Sequence, residues 1–596
     1  MRFSNRIRQF APACFVFFAF ALSLATTENE SQLTAADAAF HAGYAAEKNG
    51  DLSTARQQFE KVVRLAPNIA EGHIALGSVL VQAGEFKLAI RELTRALALK
   101  PGDRAAQTNL AVAYEQLGEH DKSLTVFRSL SRSQDRGARA TLPSSIVIFY
   151  IRALAATRQT ELAITEAQSA VAAAPGDPVL RDTLGSLEAQ RQQWNDAEGQ
   201  FKEAVRLNPT FAEAHLHFGL TLMMQQKIAA AVQELRTAAE LSPQSATTQV
   251  DLAQSLIASG DNTSAIPVLQ RALALDPSSR DAKYQIALAY QGSGEEPKAI
   301  PFFQQVLAAD PNNAPALTNL GLALVQTGKA KEALPLYQRA LRQTPDDPIV
   351  HQGLGVAYLQ VSDLEDAIAE FRTGIKLAPE AYELHYDLGL ALKLKDDLAA
   401  AASELDLAAR LNPTSPDPPY TLGILEMQRG EFENSVKQLK IALKLRPANG
   451  DGWATLGSVY KQQNNLADAS DALHKAIELI PNQPGPHITL AAVLSKQGRT
   501  EEAAAERKKA VDLSQTAVSR QRATFAANTG GALLLKGQIT DAIERYEEAV
   551  SSDLTYIEGH RGLANALVRA GRTAEAQAEI QKAAELEQAQ AKAQSH

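Results

Sequence analysis

The chain has 596 residues, of which 45% are hydrophobic but only 6% aromatic. Alanine, leucine, glutamine and glutamate dominate, and the β-branched and aromatic residues that fill sheets are sparse, so the composition predicts an all-α protein. The net charge of −9 at pH 7 argues against nucleic-acid backbones and anionic membranes as the main partners, because both repel an acidic surface.

Residues 1–25 have the pattern of a secretory signal peptide. Three arginines among the first eight residues precede an apolar run at residues 15–24, and Ala25 is a small residue at the expected cleavage point. The apolar run is shorter than the ~20 residues that a spanning helix needs, which favours cleavage over an uncleaved membrane anchor. We therefore expect export through a Sec-type signal to the periplasm or the exterior, without membrane insertion of the mature chain. A short linker is expected at residues 26–33.

Prolines recur with a period of 34 residues through most of the chain. Between Pro175 and Pro481 there are nine consecutive spacings of this length, which indicates a tandem repeat. Ten residues after the proline stands a Gly or Ala in nearly every copy. Twenty-two residues after it stands an Ala or Ser, followed four residues later by a large apolar group. The prolines of this column are Pro67, Pro101, Pro175, Pro209, Pro243, Pro277, Pro311, Pro345, Pro379, Pro413, Pro447 and Pro481.

Each repeat is predicted to form two helices. In residues 72–82 the apolar groups have helical spacing, and Gly84 can end that helix in the left-handed conformation. Residues 86–99 form a second helix, which Pro101 stops. A pair of this size buries little by itself and must stack on neighbouring pairs. Small residues at two fixed columns allow one helix to lie close against the next, and large residues fill the space between them.

Three further prolines, Pro267, Pro301 and Pro335, occupy one column early in the second helices of successive repeats. Each removes a backbone donor and crowds the carbonyl four residues earlier. We expect a bend or a late start in these three helices.

This pattern resembles the tetratricopeptide repeat family, whose repeats combine a leucine–glycine pair, an alanine, an aromatic residue and a closing proline. Sixteen copies cover about residues 34–588. The resemblance implies an all-α, right-handed superhelical solenoid of about sixteen antiparallel helix pairs. It also implies that the first helices of successive repeats line a concave face, which usually holds an extended or helical peptide.

Two irregular spacings divide the array. The spacing from Pro101 to Pro175 is 74 residues, and five residues are inserted before Arg520, which stands in a proline column. The first insertion is either an inert surface loop or a flexible joint that contacts a partner. The expected organisation is N-terminal repeats at residues 34–135, an insertion at 136–143, a central array at 144–515, an insertion at 516–520, C-terminal repeats at 521–588 and a polar tail at 589–596.

The sequence offers no residue set for catalysis, a cofactor or a metal. The only cysteine, Cys14, lies inside the signal, so the mature chain would have no thiol nucleophile and no disulfide. His215 and His217 point to different faces of a helix, which favours a structural role over metal binding. The motifs of zinc proteases, phosphate-binding loops, serine hydrolases and dinucleotide folds are absent from the sequence. We therefore predict a non-enzymatic protein without cofactor or metal.

The candidate partner-binding surface consists of apolar residues on the first helices, mostly eleven and fourteen positions after the proline. All three methionines beyond Met1 lie on it, and methionine suits surfaces that accept varied apolar partners. An alternative is that these side chains pack helix against helix inside the array. The candidate residues are Leu220, Met223, Met224, Ile257, Leu288, Leu322, Val325, Val356, Leu359, Leu390, Ile424 and Met427.

The function that follows is a scaffold that binds peptide segments of partner proteins in the concave groove. The expected partners are proteins or peptides and not nucleic acids. An alternative, from another class, is an accessory subunit that docks or regulates an enzyme encoded elsewhere.

Overall fold

The computed structural model of the protein describes residues 30–132 and 143–594. These residues form 31 α-helices and no strand, so the expectation of an all-α repeat solenoid is confirmed. The predicted signal peptide, residues 26–29 of the predicted linker and residues 136–142 of the first predicted insertion lie outside the described residues.

The chain divides into two compact units, and the first is Met1–Ala309. Its described residues form sixteen helices, which pack in chain order, each against the next. The helices are α1 (Glu30–Lys48), α2 (Leu52–Leu65), α3 (Ala70–Gln82), α4 (Phe86–Leu99), α5 (Arg104–Gln116), α6 (His120–Arg132), α7 (Ser144–Ala156), α8 (Thr160–Ala173), α9 (Pro178–Gln190), α10 (Trp194–Leu207), α11 (Ala212–Met224), α12 (Ile228–Leu241), α13 (Ala246–Ala258), α14 (Asn262–Leu275), α15 (Arg280–Gly292) and α16 (Glu296–Ala309).

The second unit is Asp310–His596, and its described residues form fifteen helices in the same arrangement. The boundary between the units falls inside residues 144–515, for which the repeat register predicts a single array. The helices are α17 (Ala314–Gln326), α18 (Ala330–Gln343), α19 (Pro348–Gln360), α20 (Leu364–Leu377), α21 (Tyr382–Leu394), α22 (Leu398–Leu411), α23 (Asp417–Gln428), α24 (Phe432–Leu445), α25 (Gly450–Gln462), α26 (Leu466–Leu479), α27 (Pro484–Lys496), α28 (Thr500–Leu535), α29 (Ile539–Ser552), α30 (Ile557–Arg569) and α31 (Thr573–Gln594).

The turn inside each repeat contains one residue in the left-handed conformation. Ten of these residues are glycines, such as Gly328 at φ +76°, and six are not, such as Gln226 at φ +61°. The reversal lets the next N–H reach back over the end of the first helix, as Lys329 N–H donates to the Leu324 carbonyl at 2.7 Å. Sixteen such turns in the described residues confirm the sixteen predicted repeats.

Within each pair, a small residue of the first helix faces a large residue of the second. A Cβ added at Gly185 would lie 2.9 Å from Phe201 Cε1, and one at Gly321 would lie 2.8 Å from the Tyr337 ring. Both rings are fully buried, and so is the alanine column that includes Ala333. The predicted close contact between the helices of a repeat is therefore confirmed.

The predicted insertion at residues 516–520 does not interrupt the helical structure. α28 is one continuous helix of 36 residues, so the second helix of the fourteenth repeat runs directly into the first helix of the fifteenth. Arg520 occupies the column where a proline normally stops the second helix, and arginine lets the helix continue. The five inserted residues add about 1.4 helical turns.

The two ends of the described array also differ from the prediction. α1 begins at Glu30, so residues 30–33 of the predicted linker are helical. At the other end, α31 extends to Gln594 and takes up most of the predicted polar tail, because glutamine, alanine, glutamate and lysine continue a helix without a stop signal.

Candidate protein-interaction surface

In the first unit, the candidate residues lie on the first helices α11, α13 and α15. Leu220 and Met224 are exposed on α11, and Met224 keeps 60% of its surface accessible. Met223, Ile257 and Leu288 are half-buried. The exposed apolar area of this unit is therefore centred on α11 and fades along the two neighbouring first helices.

In the second unit, the candidate residues lie on α17, α19, α21 and α23. Leu322 is 40% exposed, whereas Val325 is only 5% exposed. Val325 is thus not available to a partner, and its place in the candidate surface is corrected to a packing role. The half-buried candidates are Val356, Leu359, Leu390, Ile424 and Met427.

Six exposed apolar residues of the first helices lie outside the predicted set, and three of them, Phe525, Leu535 and Val568, follow residue 520. Ile349, Leu394 and Ile488 each expose more than half of their surface, yet they stand four, fifteen and seven residues after their prolines. Met224, the most exposed of the predicted residues, occupies the same column as Leu394. An apolar residue at the last position of the first helix was therefore the sequence signal for Leu394, and it does not identify Ile349 or Ile488.

Hydrogen bonds join the first helices of successive repeats at a sequence separation of 35 residues. In the second unit, Gln352 Nε2 donates to Asp387 Oδ2 at 2.7 Å, and the Tyr386 and Thr421 hydroxyls lie 3.3 Å apart. In the first unit, Gln82 Nε2 donates to Glu47 Oε1 at 2.6 Å. These bonds hold neighbouring first helices in register and give their shared face a fixed polar pattern.

Two acidic residues on this face hold their protons more tightly than usual. Burial raises the pKa of Asp387 to about 6, although the hydrogen bond from Gln352 acts in the opposite direction. Burial also raises the pKa of Asp251. Burial would lower the pKa of His217, but its hydrogen bond to Asp182 and the charge of that carboxylate outweigh burial and raise it.

Six buried histidines form a recurring bracket between the two helices of a repeat and the turn before it. In each, Nδ1 lies 2.5–2.8 Å from the carboxylate of a glutamate 19 residues later, and Nε2 lies 3.0–3.4 Å from the carbonyl of the residue six positions earlier. Trp453 makes the equivalent bond from Nε1 to the Pro447 carbonyl at 2.9 Å. The histidines are His73, His215, His351, His385, His487 and His560, and the structural role predicted for His215 is confirmed.

The chemistry of the bracket requires a shared proton. A carbonyl only accepts, so the histidine Nε2 must donate to it. Nδ1 and the glutamate oxygen can then bond only if one further proton lies between them, on either the imidazole or the carboxyl group. Each bracket therefore fixes a buried acid–base pair that serves packing, because both ring nitrogens are occupied.

Two buried carboxyl groups are not paired in this way. Glu188 and Glu426 are 5% and 8% exposed, and the Oε2 atom of each has no hydrogen-bond partner among the described residues. Burial raises the pKa of each to about 7. Both stand thirteen residues after a proline, where other repeats carry buried residues such as Leu324 or Leu392.

Residues 30–132 and 143–594 contain no group of three or more His, Cys, Asp or Glu side chains that could hold a metal ion. None of their helices combines the length and the hydrophobicity that crossing a membrane requires.

Comparisons with known proteins agree with the repeat architecture. Tetratricopeptide repeat profiles match residues 36–69, 74–138, 183–246, 250–314 and 557–582. The profile of the C-terminal domain of cilia and flagella-associated protein 70 matches residues 305–524.

Individual relatives cover parts of the chain. The cellulose synthase operon protein C of Xanthomonas axonopodis pv. citri (strain 306) is 31% identical over 147 residues, which are 24% of this chain and 10% of that protein. MamA of Desulfovibrio magneticus RS-1 is 26% identical and covers 28% of this chain and 95% of that chain, with a TM-score of 0.27. Yeast Tom70 is 17% identical and covers 72% of this chain and 96% of that chain, with a TM-score of 0.35.

The family follows from three concordant observations: the 34-residue period, the sixteen turns of helix pairs, and profile matches distributed along the chain. Helical repeat arrays of this kind present extended surfaces to other proteins. The chain is therefore a scaffold for protein–protein interaction, and it belongs to the tetratricopeptide repeat family.

Proposed function

We propose that this scaffold binds peptide segments of partner proteins on the face formed by its first helices. The observation that carries the proposal is the exposure of large apolar side chains on the first helices of each unit, such as Met224 in the first unit and Leu394 in the second, at 60% and 64%. In each unit, a bound apolar segment would remove such side chains from water.

The polar groups on the same face suggest how a segment is positioned. Gln352 on α19 holds the carboxylate of Asp387 on α21, and half-buried Val356 and Leu390 lie on the same two helices. A backbone N–H or a hydroxyl of the bound peptide can donate to the remaining carboxylate lone pairs. The proposed ligand is therefore an apolar segment whose backbone remains free to hydrogen-bond.

The decisive experiment is a charge substitution on the exposed part of this face. The double variant Leu322→Glu and Leu394→Glu places two carboxylates where an apolar segment would have to desolvate them. Because both side chains are exposed, helicity and thermal unfolding should stay close to wild type. Proteins that wild type retains from an extract of its own cells, identified by mass spectrometry, should be lost, and peptides from those proteins should no longer bind in calorimetry.

The matched control lies on a second helix of the same unit. Ile441 and Leu445 on α24 are 41% and 39% exposed, so changing both to glutamate adds the same charge at similarly exposed positions. This control should retain the partners. Retention by the first-helix variant, with loss in the control, would place binding on the opposite face.

We also propose that the protein acts outside the cytoplasm. The proposal is supported by the arginine-led apolar run of residues 1–25 and its small residue at position 25. Fractionation of cells that produce the full chain, combined with N-terminal sequencing, tests it. A protein that retains Met1 and stays in the cytoplasmic fraction would contradict it.

A further inference from the structure

Exposed apolar residues form a regular ridge along α28. Ala504, Val511, Val518, Phe525 and Ala532 recur every seven residues and all are exposed, with Phe525 at 76%. Seven residues are close to two helical turns, so these side chains form a stripe about 42 Å long that turns slowly around the helix, by about 20° per heptad. An apolar ridge of this length is unusual on a surface that faces only water.

In regular repeats the corresponding columns pack against each other, and the first is mostly half-buried and the second buried. Leu443 stands thirty residues after its proline and Gly452 five residues after the next one; a Cβ added at Gly452 would lie 2.9 Å from Leu443 Cδ2. This contact stacks the second helix of one repeat on the first helix of the following repeat. Val511 occupies the first of these columns and Phe525 the second.

The continuous helix separates the two columns. Without a turn at Arg520, Val511 and Phe525 lie 14 residues apart on one helix, or about 21 Å, instead of facing each other. Neither half of α28 therefore covers the stacking surface of the other half. Val511 and Phe525 are exposed at 54% and 76%, whereas their column equivalents Leu443 and Ala316 are buried.

We propose that two copies of the chain associate through α28, antiparallel, around a two-fold axis at Val518. In this arrangement Val511 of each copy packs on Phe525 of the other, and Ala504 faces Ala532. In regular repeats, the two columns contact each other within one chain. In the dimer, the same contact forms between two chains. This is the geometry of an exchanged helix pair, a known route to symmetric dimers.

The charges beside the ridge favour the antiparallel direction. With the axis at Val518, Lys508 faces Asn528, and Arg522 faces Ser514 of the second copy. A parallel pair would place Lys508 against Lys508 and Arg522 against Arg522, and like charges at such close positions repel. The charges of α28 therefore allow antiparallel pairing with a second copy and disfavour parallel pairing.

The association is tested with the full chain by sedimentation equilibrium at concentrations on the order of 10 μM. A stable interface of ordinary size should give a species of twice the chain mass of 64.0 kDa. Phe525→Glu should give the single-chain mass with unchanged helicity, since the side chain is exposed. Ile441→Glu, on α24, should remain at twice the chain mass. Wild type at the single-chain mass would overturn the proposal.

Cysteine cross-linking tests the direction, in a Cys14→Ser background that removes the only natural cysteine. Val518→Cys should form a covalent dimer under mild oxidation. Val511→Cys alone should not, but a mixture of Val511→Cys with a differently tagged Phe525→Cys chain should. A covalent dimer of Val511→Cys with itself would indicate parallel pairing and would also overturn the proposal.

Discussion

Glu426 places a titratable group where the repeat normally has leucine, and its replacement tests how burial controls the stability of the second unit. The carboxyl group is 8% exposed and its Oε2 atom has no hydrogen-bond partner among the described residues. Burial raises its pKa from 4.5 to about 7, and the nearby Glu431 carboxylate acts in the same direction. The folded protein therefore binds this proton more tightly than the unfolded chain does.

The contribution of Glu426 to the free energy of unfolding decreases as the pH rises. A group whose pKa is raised on folding contributes its full stability below the unfolded pKa, and that contribution is lost as the pH rises through about 7. Each unit of pKa difference corresponds to about 1.4 kcal/mol, so the loss between pH 5 and pH 8.5 amounts to roughly 2 to 3 kcal/mol. Glu426→Gln removes the ionisation and should remove this loss.

The assay is urea unfolding followed by circular dichroism at both pH values. Glu426→Gln should have the wild-type midpoint at pH 5 and a clearly higher one at pH 8.5. The control Glu380→Gln changes an exposed turn residue and should follow wild type at both. A Glu426→Gln midpoint that differs from wild type by the same amount at pH 5 and pH 8.5 would refute the reasoning.

Three further outcomes are expected in thermal unfolding. Gly328→Ala should cost about 1 kcal/mol because its φ is +76°, and Gln226→Gly in the same column should stabilise, since only glycine adopts this conformation without strain. Ala333→Leu should cost about 1–3 kcal/mol by overpacking a fully buried contact, and an unchanged midpoint would show that the helices can separate there. His351→Ala leaves a half-buried carboxylate and a carbonyl without their imidazole partner and should cost about 1–3 kcal/mol, whereas His41→Ala, at an exposed position, should have little effect.

The sequence determined the repeat, its two helices and their number. These features depend on local spacing: apolar residues at helical intervals, a residue that can adopt positive φ in the turn, and a proline that ends the second helix. Six of the sixteen turns use a residue other than glycine, such as Asn464. The period identified those turns when the residue type did not.

The sequence rule for prolines inside a helix was less accurate. Pro267, Pro301 and Pro335 were expected to delay three helices, but α14, α16 and α18 begin nineteen residues after their column prolines, as the other second helices do. Each proline is the sixth residue of its helix, so the carbonyl that loses its donor belongs to the first turn, and the helix start before it is unaffected. Of the expected bend or late start, the late start is therefore wrong, and the bend stays a prediction.

The tertiary structure alone decided which of these residues meet. The histidine brackets join residues 19 apart, and the sequence carried that signal as two recurring columns, but only the stacking of helices brings the imidazole between a carbonyl and a carboxylate. Exposure was decided in the same way: Val325 and Leu322 lie on one helix, yet one is buried and the other is not. The 34-residue period determines which residues share a helix face. Whether a residue on that face is buried depends on how much of the face the next repeat covers, and the side chains 34 residues away determine that coverage.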